Sequence, residues 1–436
     1  MRATKPYTMP AAPSFCSPFL ATIAACGAYF DCTEPEALDA LFGRERVSAY
    51  IGFDCTGPSL HVGSLVQIMT LRRLQQAGHR PIVLMGGGTT KVGDPSGKDE
   101  TRQLLSPAQI EANKQSILKS FERFLTFGDG ETDAIMVDNA DWLDRLEYIP
   151  FLREIGRHFS INRMLTMDSV KLRLERDQPL SFLEFNYMIL QAYDFVELYR
   201  RYGCRLQCGG SDQWGNIVSG IDLARRMAEA QLFGITSPLI TTSSGAKMGK
   251  TASGAVWLNA DMCSPYDYWQ YWRNTEDADV GRFLRLFTDL PGDKIARLEV
   301  LQGAELNEAK KVLATECTAL AHGREAALAA AETARRTFEE GAAAEGLPIK
   351  SLDWSVGDKS GEHDWTLRTA EAILKASELA SSLSDAKRKI AAGAVRINDR
   401  LINDPKEKFR ALDIDPEVGA FKVQFGKKKI VLVKPS

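Results

Sequence analysis

The alternation of strand-like and helix-like segments in the first 265 residues constrains the fold more than any other feature of the chain. Residues 47–54 (VSAYIGFD) have the composition of a buried strand, and a turn-rich loop (CTGPSLHVG) leads from them into a helical run that ends before Gly78. A second strand is predicted at 81–87 (PIVLMGG). Strand, loop, helix and strand in this order are typical of a parallel, doubly wound sheet. Ligands of such sheets bind beyond the carboxyl ends of the strands, so we expect a site in the loops that follow these two strands.

The rest of the chain has a different pattern, which predicts more than one domain. A chain of 436 residues usually needs more than one hydrophobic core. The pattern is almost wholly helical from Pro265 to about residue 345, then turn-rich and polar, then mixed. We therefore predict an α/β fold class in four parts: a Rossmann-type domain with an N-terminal tail and helix at 1–265, an all-α domain at 266–345, a linker at 346–365 and a small α+β domain at 366–436.

The charge of the chain is unevenly distributed. Residues 366–436 contain fifteen Lys and Arg and nine Asp and Glu, a net charge of +6, although the whole chain has a net charge of −3. A basic segment in an otherwise acidic chain favours a localised anionic partner, and RNA is the leading candidate. A merely solvated basic face is the alternative, and charge alone does not separate the two.

The eight cysteines and five histidines do not form a metal-binding pattern. Cys204 and Cys208 are not followed by a second Cys or His pair at the spacing of a zinc site. We interpret the cysteines as reduced thiols of a cytoplasmic protein and predict no metal site. No apolar run approaches the roughly 18 residues of a membrane span. The N-terminus reads as a short tail and a first helix, with a transit peptide as the alternative.

Two loops carry groups suited to a polyphosphate. The loop at 55–64 places His61 and Gly63 where a strand ends and a helix begins, and a helix N-terminus favours an anion. The His61 ring could donate a hydrogen bond to phosphate oxygens. Residues 245–251 (GAKMGKT) place Lys247 and Lys250 three residues apart in a glycine-rich loop. An accidental match at the first loop and an exposed basic loop at the second are the alternatives for each taken alone.

A polar stripe runs along an otherwise apolar helix. In residues 181–195 (SFLEFNYMILQAYDF), Tyr187, Gln191 and Asp194 follow one another at i, i+4 and i+7 and so share one face. Buried polar groups need partners, which are either neighbouring helices or a bound polar ligand. Three such groups close in sequence to the nucleotide-type loops favour a ligand.

A second glycine-rich turn follows another short apolar strand. In LQCGGSDQWGN (206–216), a carboxylate at Asp212 beside Gly209 and Gly210 suits the diol of a ribose, since backbone without side chains can approach the sugar closely. A plain strand-to-helix turn with Ser211 or Asp212 as the helix N-cap is the alternative.

These segments together resemble a known family. HVGS at 61–64 and KMGKT at 247–251 are similar to the two signature sequences of class I aminoacyl-tRNA synthetases. YIGFDCTGPSLHVG, GDPSGK, SFLEFNYMILQAYD and GGSDQWGN resemble, in order and spacing, the bacterial and organellar tyrosine-specific members, from about Ala49 to the C-terminus. The resemblance implies activation of L-tyrosine by ATP, with Mg²⁺ accompanying the nucleotide, and transfer of the tyrosyl group to tRNA(Tyr). No permanently bound cofactor is implied.

The resemblance also implies roles for individual residues. Those expected to bind tyrosine are Tyr50, Asp94, Tyr187, Gln191, Asp194 and Gln213, with Gln207 nearby. Those expected to bind ATP are Gly52, Asp54, His61, Gly63, Ser64, Gly210, Asp212, Lys247 and Lys250. Those expected to act in catalysis are Thr56, His61, Lys247, Lys250 and Thr251, with Lys98 and Arg102 as further phosphate contacts. Ser64 departs from the family, which usually has a second histidine there, and this affects the expected nucleoside contacts.

The same resemblance extends to partners and to the rest of the chain. Residues 366–436 resemble an S4-type RNA-binding module, in which Lys387, Arg388, Lys389 and Arg396 are expected to meet RNA, and residues 266–345 resemble the anticodon-arm binding region. The family implies a cytoplasmic homodimer. Three alternatives remain: a tryptophan-specific synthetase of the same class, an RNA-binding protein that has lost catalysis, and another adenylate-forming nucleotidyltransferase.

Overall fold

A computed structural model of the chain describes residues 14–96, 104–245, 248–251, 254–338, 347–354, 367–416, 418–426 and 429–436. The contacts between residues divide the chain into two compact units. The first unit consists of the residues up to Cys263 together with Thr275–Leu313, and the second consists of Ser264–Asn274 together with Ala314–Ser436. Each unit is described separately below.

The first unit is built on a six-stranded sheet. In chain order its strands are β1 (Asp31–Cys32), β2 (Ser48–Asp54), β3 (Arg80–Gly86), β4 (Ile135–Asp138), β5 (Cys204–Gly210) and β6 (Phe233–Ser237). Their order in the sheet is β1-β6-β5-β2-β3-β4, and all neighbours are parallel except β1 and β6. The chain runs outward in one direction from β2 and in the other from β5. A crevice is expected beyond the carboxyl ends of these two strands, at this reversal of direction.

Helices connect the strands of this sheet. They are α1 (Pro18–Ala25), α2 (Pro35–Arg44), α3 (Leu65–Gln76), α4 (Pro107–Phe121), α5 (Ala140–Leu143), α6 (Tyr148–Glu154), α7 (Ile161–Met164), α8 (Asp168–Glu175), α9 (Phe182–Tyr202) and α10 (Trp214–Ala228). The fold class predicted for this part of the chain is therefore confirmed, including the strand–loop–helix–strand order at 47–87. Two short strands, β7 (Lys250–Thr251) and β8 (Gly254–Ala255), form a separate hairpin.

Helix α9 carries the predicted polar stripe, and capping residues at both ends determine where it begins and ends. Ser181 and Glu184 form a reciprocal capping box at the first turn, and Gly203 ends the helix in the left-handed conformation at φ +63°. Such caps satisfy backbone groups that have no partner within the helix. Glu184 also pairs with Arg173 at 2.8 Å, and both side chains are only 2% exposed. The first turn of α9 is therefore fixed by a buried ion pair as well as by its cap.

The second unit combines helices with a small sheet. Helix α11 (Pro265–Arg273) belongs to the second unit. The next two helices, α12 (Val280–Phe287) and α13 (Gly292–Glu299), belong to the first unit. Helix α14 (Leu306–His322) begins in the first unit and ends in the second. Helix α15 (Arg324–Phe338) follows. The predicted domain 266–345 therefore does not coincide with one compact unit, because Thr275–Leu313 belongs to the first unit.

The C-terminal part of the second unit contains strands β9 (Ile349–Leu352), β10 (Leu367–Thr369), β11 (Val395–Ile397), β12 (Arg400–Leu401), β13 (Lys408–Arg410), β14 (Phe421–Phe425) and β15 (Lys429–Pro435), with helices α16 (Ala370–Ala376) and α17 (Leu383–Ala391). Five strands form one sheet in the order β12-β11-β14-β15-β9, and β10 pairs with β13. The predicted hairpin around Gly426 is β14 with β15, and Gly426 has φ +64°.

The predicted linker at 346–365 needs a correction. Its residues 349–352 are strand β9, which pairs in parallel with β15, and Trp354 stacks on Phe421 with ring centroids 5.3 Å apart. Both rings are buried in the core of this part of the unit. Because the segment is rich in turn-forming and polar residues, its short strand has no clear sequence signal. Within the described ranges, no helix has the length and apolar character required to cross a membrane.

The buried pair at the start of α9 gives a stability prediction. Replacing Arg173 by Ala should lower the free energy of unfolding by about 3 kcal/mol, because the Glu184 carboxylate would be left in the interior without its cation. Urea denaturation followed by circular dichroism measures this change. Arg225→Ala is the matched control, since Arg225 pairs with Asp222 at 2.6 Å but is exposed, and should cost at most about 1 kcal/mol. Equal losses in the two variants would contradict the importance of the buried pair.

Candidate active site

A cavity of about 530 Å³ lies beyond the carboxyl ends of β2 and β5, where the strand order predicts a ligand site. Both strands and the loops that follow them supply its walls, together with α9 and the turn before α10. The candidate residues of the described ranges that line this cavity are Tyr50, Gly52, Asp54, Thr56, His61, Gly63, Ser64, Asp94, Tyr187, Gln191, Asp194, Gln207, Gly210, Asp212 and Gln213. The topology therefore brings together residues that are up to 163 positions apart in the sequence.

Five of the other candidates are only partly described or lie outside the described residues. Lys247 lies outside them, as do Lys98 and Arg102. Lys250 and Thr251 are described by their backbone, which forms β7.

Asp194 is almost completely enclosed, with 1% of its surface exposed, at one end of the cavity. One carboxyl oxygen accepts a hydrogen bond from the Asn139 amide at 2.9 Å, and the other accepts from the Trp142 indole N–H at 2.7 Å. Burial raises the pKa of Asp194 to about 8, and the Asp54 and Asp138 carboxylates act in the same direction. The two hydrogen bonds oppose this shift because they stabilise the ionised form.

Tyr50 is the second polar group at this end of the cavity. Its side chain is buried, and its hydroxyl has no hydrogen-bond partner among the described residues. Burial and the neighbouring Asp194 carboxyl raise the pKa of Tyr50 well above its usual range, so the hydroxyl keeps its proton. A buried hydroxyl without a partner is costly. A ligand that carries its own hydroxyl into this end of the cavity would satisfy it.

A network of carboxylates and amides lines the middle of the cavity. The Tyr187 hydroxyl donates to Asp54 at 3.0 Å, and the Gln213 amide donates to Asp94 at 3.0 Å. The Asn216 amide donates to the carbonyl oxygens of both Gln191 (2.9 Å) and Gln213 (3.0 Å). These contacts orient oxygen acceptors and negative charge into one region, which suits a cationic group such as an ammonium.

His61 is held by the turn that contains it. Its Nδ1 accepts a hydrogen bond from the Gly63 N–H at 2.9 Å, so the neutral ring carries its proton on Nε2. A methyl group at position 63 would lie 2.5 Å from the His61 ring, which only glycine avoids. The Gly63 N–H is therefore used by the His61 ring. His61 also lines the cavity, and in this tautomer its Nε2–H is a potential hydrogen-bond donor.

The second signature segment lies directly against the first. The Val62 N–H donates to the Val256 carbonyl at 3.0 Å and the Leu258 N–H donates to the Leu60 carbonyl at 2.9 Å, on either side of a bridge between His61 and Trp257. Gly249 has φ +82°, and a methyl group there would lie 3.0 Å from the Gly63 nitrogen. Backbone pairing thus brings the loop that contains Met248–Thr251 next to His61, although nearly two hundred residues separate the two segments in sequence.

Several lining residues are not predicted from the sequence. Asn139, Thr89 and Gln67 contribute side chains to the cavity wall, and Asn139 is fixed by Thr89 (3.0 Å) and by the Gly88 N–H (2.8 Å). The indole N–H of Trp142, another residue not predicted from the sequence, donates a hydrogen bond to Asp194. The signal that could have found Asn139 is its place directly after β4, since the strand-end rule applies to that strand as it does to β2 and β3.

The RNA-binding candidates lie on and after α17. Arg388 is 81% exposed and pairs with Asp385 at 2.6 Å. Lys387 is half-exposed and 3.7 Å from Glu371, whereas Lys389 is mostly covered by contacts with Asp385 and the Leu379 carbonyl, both at 2.8 Å. Arg396 donates to the Asp399 carbonyl at 2.7 Å. Lys387, Arg388 and Arg396 are therefore the exposed cations of this set, whereas Lys389 is half-buried. Across the described part of the chain, no group of three or more His, Cys, Asp or Glu side chains is placed to hold a metal ion.

Comparison with known proteins agrees with this geometry. The family model described as "tRNA synthetases class I (W and Y)" matches residues 43–339. The chain belongs to this family. Among its relatives, the tyrosine–tRNA ligase of Bradyrhizobium diazoefficiens is 59% identical over 97% of this chain and 100% of its own length. The tyrosine–tRNA ligase of Beijerinckia indica is 61% identical over 96% of this chain and 97% of its own length.

A solved structure extends the similarity to the fold. The C-terminally truncated mitochondrial tyrosyl-tRNA synthetase of Aspergillus nidulans has a TM-score of 0.67 and 30% identity, over 73% of this chain and 94% of the other. The similarity of fold therefore extends over about three quarters of this chain.

The raised pKa of Asp194 makes stability depend on pH. The carboxyl titrates near 4 when unfolded and near 8 when folded, so between these values the folded chain binds the extra proton and stability falls as the pH rises. Asp194→Asn removes this titration. The variant should therefore gain stability relative to the native chain between pH 5 and 8, by about 1 kcal/mol per pH unit. Thermal unfolding across this range measures the difference, and a constant difference would contradict the raised pKa.

Proposed function

We propose that this chain is a tyrosine–tRNA ligase, which activates L-tyrosine with ATP to tyrosyl-adenylate and pyrophosphate and then transfers tyrosine to the 3′ end of tRNA(Tyr). The observation that carries the proposal is a cavity that ends in Asp194 and an unpartnered Tyr50 hydroxyl and also borders the first signature segment. The relatives that match over nearly the full chain bear the same activity in their names.

The closed end of the cavity suits a phenol. A phenolic hydroxyl can accept a hydrogen bond from Tyr50 and donate one to Asp194, so both buried groups gain a partner. An indole N–H can donate to Asp194 but has no acceptor for the Tyr50 hydroxyl. A phenyl ring offers neither group. This difference favours tyrosine over tryptophan and phenylalanine, because an unpaired buried polar group destabilises the complex.

The middle of the cavity suits the α-ammonium group of the amino acid. Asp94, Tyr187 and Gln191 present oxygen atoms there, with Gln213 fixing Asp94. Binding at both ends would leave the tyrosine carboxylate directed toward the open part of the cavity, which His61 and Thr56 line. The polar stripe of α9 would then contact both ends of one substrate molecule, with Asp194 at the phenol and Tyr187 and Gln191 at the ammonium.

The nucleotide would occupy the open part of the cavity. Gly52, Asp54, Gly63, Ser64, Gly210 and Asp212 would contact the nucleoside, and Thr56 and His61 would meet the phosphates from one side. Lys247, Lys250 and Thr251 would meet the phosphates from the other side, as the similarity to class I synthetases implies. Mg²⁺ bound with ATP would neutralise part of the phosphate charge.

The chemistry needs no nucleophile from the protein. An oxygen of the tyrosine carboxylate attacks the α-phosphorus, a P–O bond forms, and the bond to the leaving pyrophosphate breaks with its electron pair. Catalysis then consists of placing the two reactants and stabilising the charge that develops on the pyrophosphate. The Nε2–H of His61 is suited to this second task because the Gly63 N–H holds Nδ1 as an acceptor.

RNA binding, assembly and location complete the proposal. The basic surface of the C-terminal part, as an S4-like module, would contact tRNA through Lys387, Arg388 and Arg396. Nine of the nineteen exposed large apolar side chains of the described residues lie between 148 and 183, which suits a homodimer interface. All eight cysteines have free thiols, in keeping with a cytoplasmic protein.

Amino-acid-dependent exchange of pyrophosphate into ATP tests the activity. The purified chain should catalyse exchange with tyrosine and much more weakly with tryptophan or phenylalanine, because only tyrosine satisfies both Asp194 and Tyr50. Radiolabelled pyrophosphate incorporated into ATP measures the rate for each amino acid. Exchange with tryptophan alone would overturn the tyrosine assignment, and exchange with none would overturn the enzyme assignment.

The role of the C-terminal part is tested separately. Arg388→Glu should raise the KM for tRNA about 3- to 10-fold, because a phosphate contact would be lost and a repulsive charge added. Pyrophosphate exchange, which needs no tRNA, should be unchanged. Arg225→Glu is the matched control, since Arg225 is also exposed and paired at 2.6 Å with an acidic residue of its own helix, but lies outside both regions expected to bind tRNA. An unchanged KM for tRNA in the Arg388 variant would remove this residue from the interface.

A further inference from the structure

The loop between Ile240 and Val256 contains the second signature segment. Its N-terminal and C-terminal parts, called its arms here, contact different segments of the protein. Its C-terminal arm pairs with the first signature segment through the Val62–Val256 and Leu60–Leu258 backbone hydrogen bonds. Its N-terminal arm, Thr241–Ser244, makes no part of that pairing among the described residues and contacts a different segment. That segment is Glu276–Asp289, which contains α12 and is named the anchor segment here.

Asp279 and Arg282 of the anchor segment hold the backbone of the N-terminal arm. One carboxylate oxygen of Asp279 accepts the Ser243 N–H at 2.7 Å, and the other accepts from the Arg282 guanidinium at 2.7 Å. Arg282 also donates to the carbonyl of Thr241. These two side chains therefore bind one N–H and one C=O of the loop, as a neighbouring strand would.

The position of Asp279 makes this contact informative. Asp279 is the N-cap residue of α12, where an aspartate usually accepts an N–H of its own helix. It makes no such bond, and its carboxylate, 3% exposed, is used for Ser243 and Arg282 instead. Glu276 adds a contact on the surface, where it accepts from the hydroxyls of Ser243 and Ser244.

The other end of the anchor segment is fixed to helix α3, which begins directly after the first signature segment. The buried Arg73 donates to the carbonyls of Arg285 and Leu286, both at 2.8 Å, and these are among the last carbonyls of α12, which lack partners within the helix. Arg72 pairs with Asp289 at 2.6 Å. The anchor segment therefore contacts α3 at one end and the loop between Ile240 and Val256 at the other.

We infer that the anchor segment sets the position of the second signature segment relative to the first, with Asp279 as its principal positioning residue. The inference rests on the proposed function, because it assigns the anchor segment to the adenylate-forming step of that reaction. Asp279 does not line the cavity and would touch no substrate. It acts through Ser243, by fixing where the loop leaves β6 and so where Met248–Thr251 lie beside His61.

The expected size of the effect follows from geometry. Catalysis by positioning is sensitive to small displacements, and a shift of about 1 Å can lower a rate about 100-fold. If the N-terminal arm is released, the C-terminal arm stays paired with the first signature segment. The loss of rate should therefore be smaller than about 100-fold. Tyrosine binding should not change, because Tyr50 and Asp194 belong to β2 and α9 and are not held by the loop.

The test compares Asp279→Ala with Asp277→Ala in the full chain. Asp277 is two residues away and pairs with Lys310, but its side chain is 76% exposed and makes no contact with the loop in the described structure. Asp279→Ala should lower kcat of tyrosine-dependent pyrophosphate exchange about 10-fold, with tyrosine affinity from equilibrium dialysis within 2-fold of the native chain. Asp279→Asn keeps an acceptor for the Ser243 N–H and should recover part of the rate. Asp277→Ala should match the native chain in both measurements.

The outcomes separate this inference from the proposed function. If the native chain shows no exchange with tyrosine, the proposed function fails. If the native chain is active and folded Asp279→Ala exchanges at the native rate, or loses tyrosine affinity in parallel with kcat, the positioning role is wrong. Should Asp279→Ala not fold, Glu276→Ala decides. The carboxylate of this exposed residue accepts hydrogen bonds from the serine hydroxyls of the arm, so a fall of kcat of about 3-fold supports the inference, whereas an unchanged kcat overturns it.

Discussion

The enclosure of Asp194 is the constraint on which the rest of the site depends. An aspartate with 1% of its surface exposed is unfavourable unless its oxygens are bonded, and Asn139 and Trp142 bond one oxygen each. These two residues follow β4, while Asp194 lies on α9, so the contact fixes the helix against the sheet. It thereby also fixes Tyr187 and Gln191, which share a face with Asp194. A site of this kind combines a buried acid with a hydroxyl that has no partner among the described residues, and a ligand that bonds both groups would stabilise it.

A second constraint brings two distant segments of the chain together. The first signature segment lies between β2 and α3, and the second lies after β6, yet backbone hydrogen bonds at Val62 and Leu60 pair them directly. Glycines at 63 and 249 permit this approach, because a methyl group at either position would meet the other segment or the His61 ring. The part of the cavity proposed to bind phosphate is thus held by backbone contacts, while the part proposed to bind the amino acid is held by side-chain contacts of the sheet and α9.

Much of this architecture could be predicted from local patterns. The strands at 48–54 and 80–86, the helix at 182–202 and its polar stripe have strong periodicity and clear end signals such as Ser181 and Gly203. Asn139 and Trp142 could not be predicted in the same way, because their importance comes from a contact with a residue over fifty positions away. The strand at 349–352 could not be predicted from its polar, turn-rich sequence, because it depends on pairing with β15. The use of the Gly63 N–H by His61 depends on a rotamer that sequence does not specify.

We propose that the enclosed end of the cavity binds the phenol of tyrosine. A crystal structure of the chain with L-tyrosine bound is the decisive test. The phenolic oxygen should lie at hydrogen-bonding distance, about 2.5–3.0 Å, from both a carboxyl oxygen of Asp194 and the Tyr50 hydroxyl. The ammonium group should lie near Asp94 and Gln191. Tyrosine bound in the opposite direction, or outside this end of the cavity with the Tyr50 hydroxyl still unpartnered, would show that this assignment is wrong.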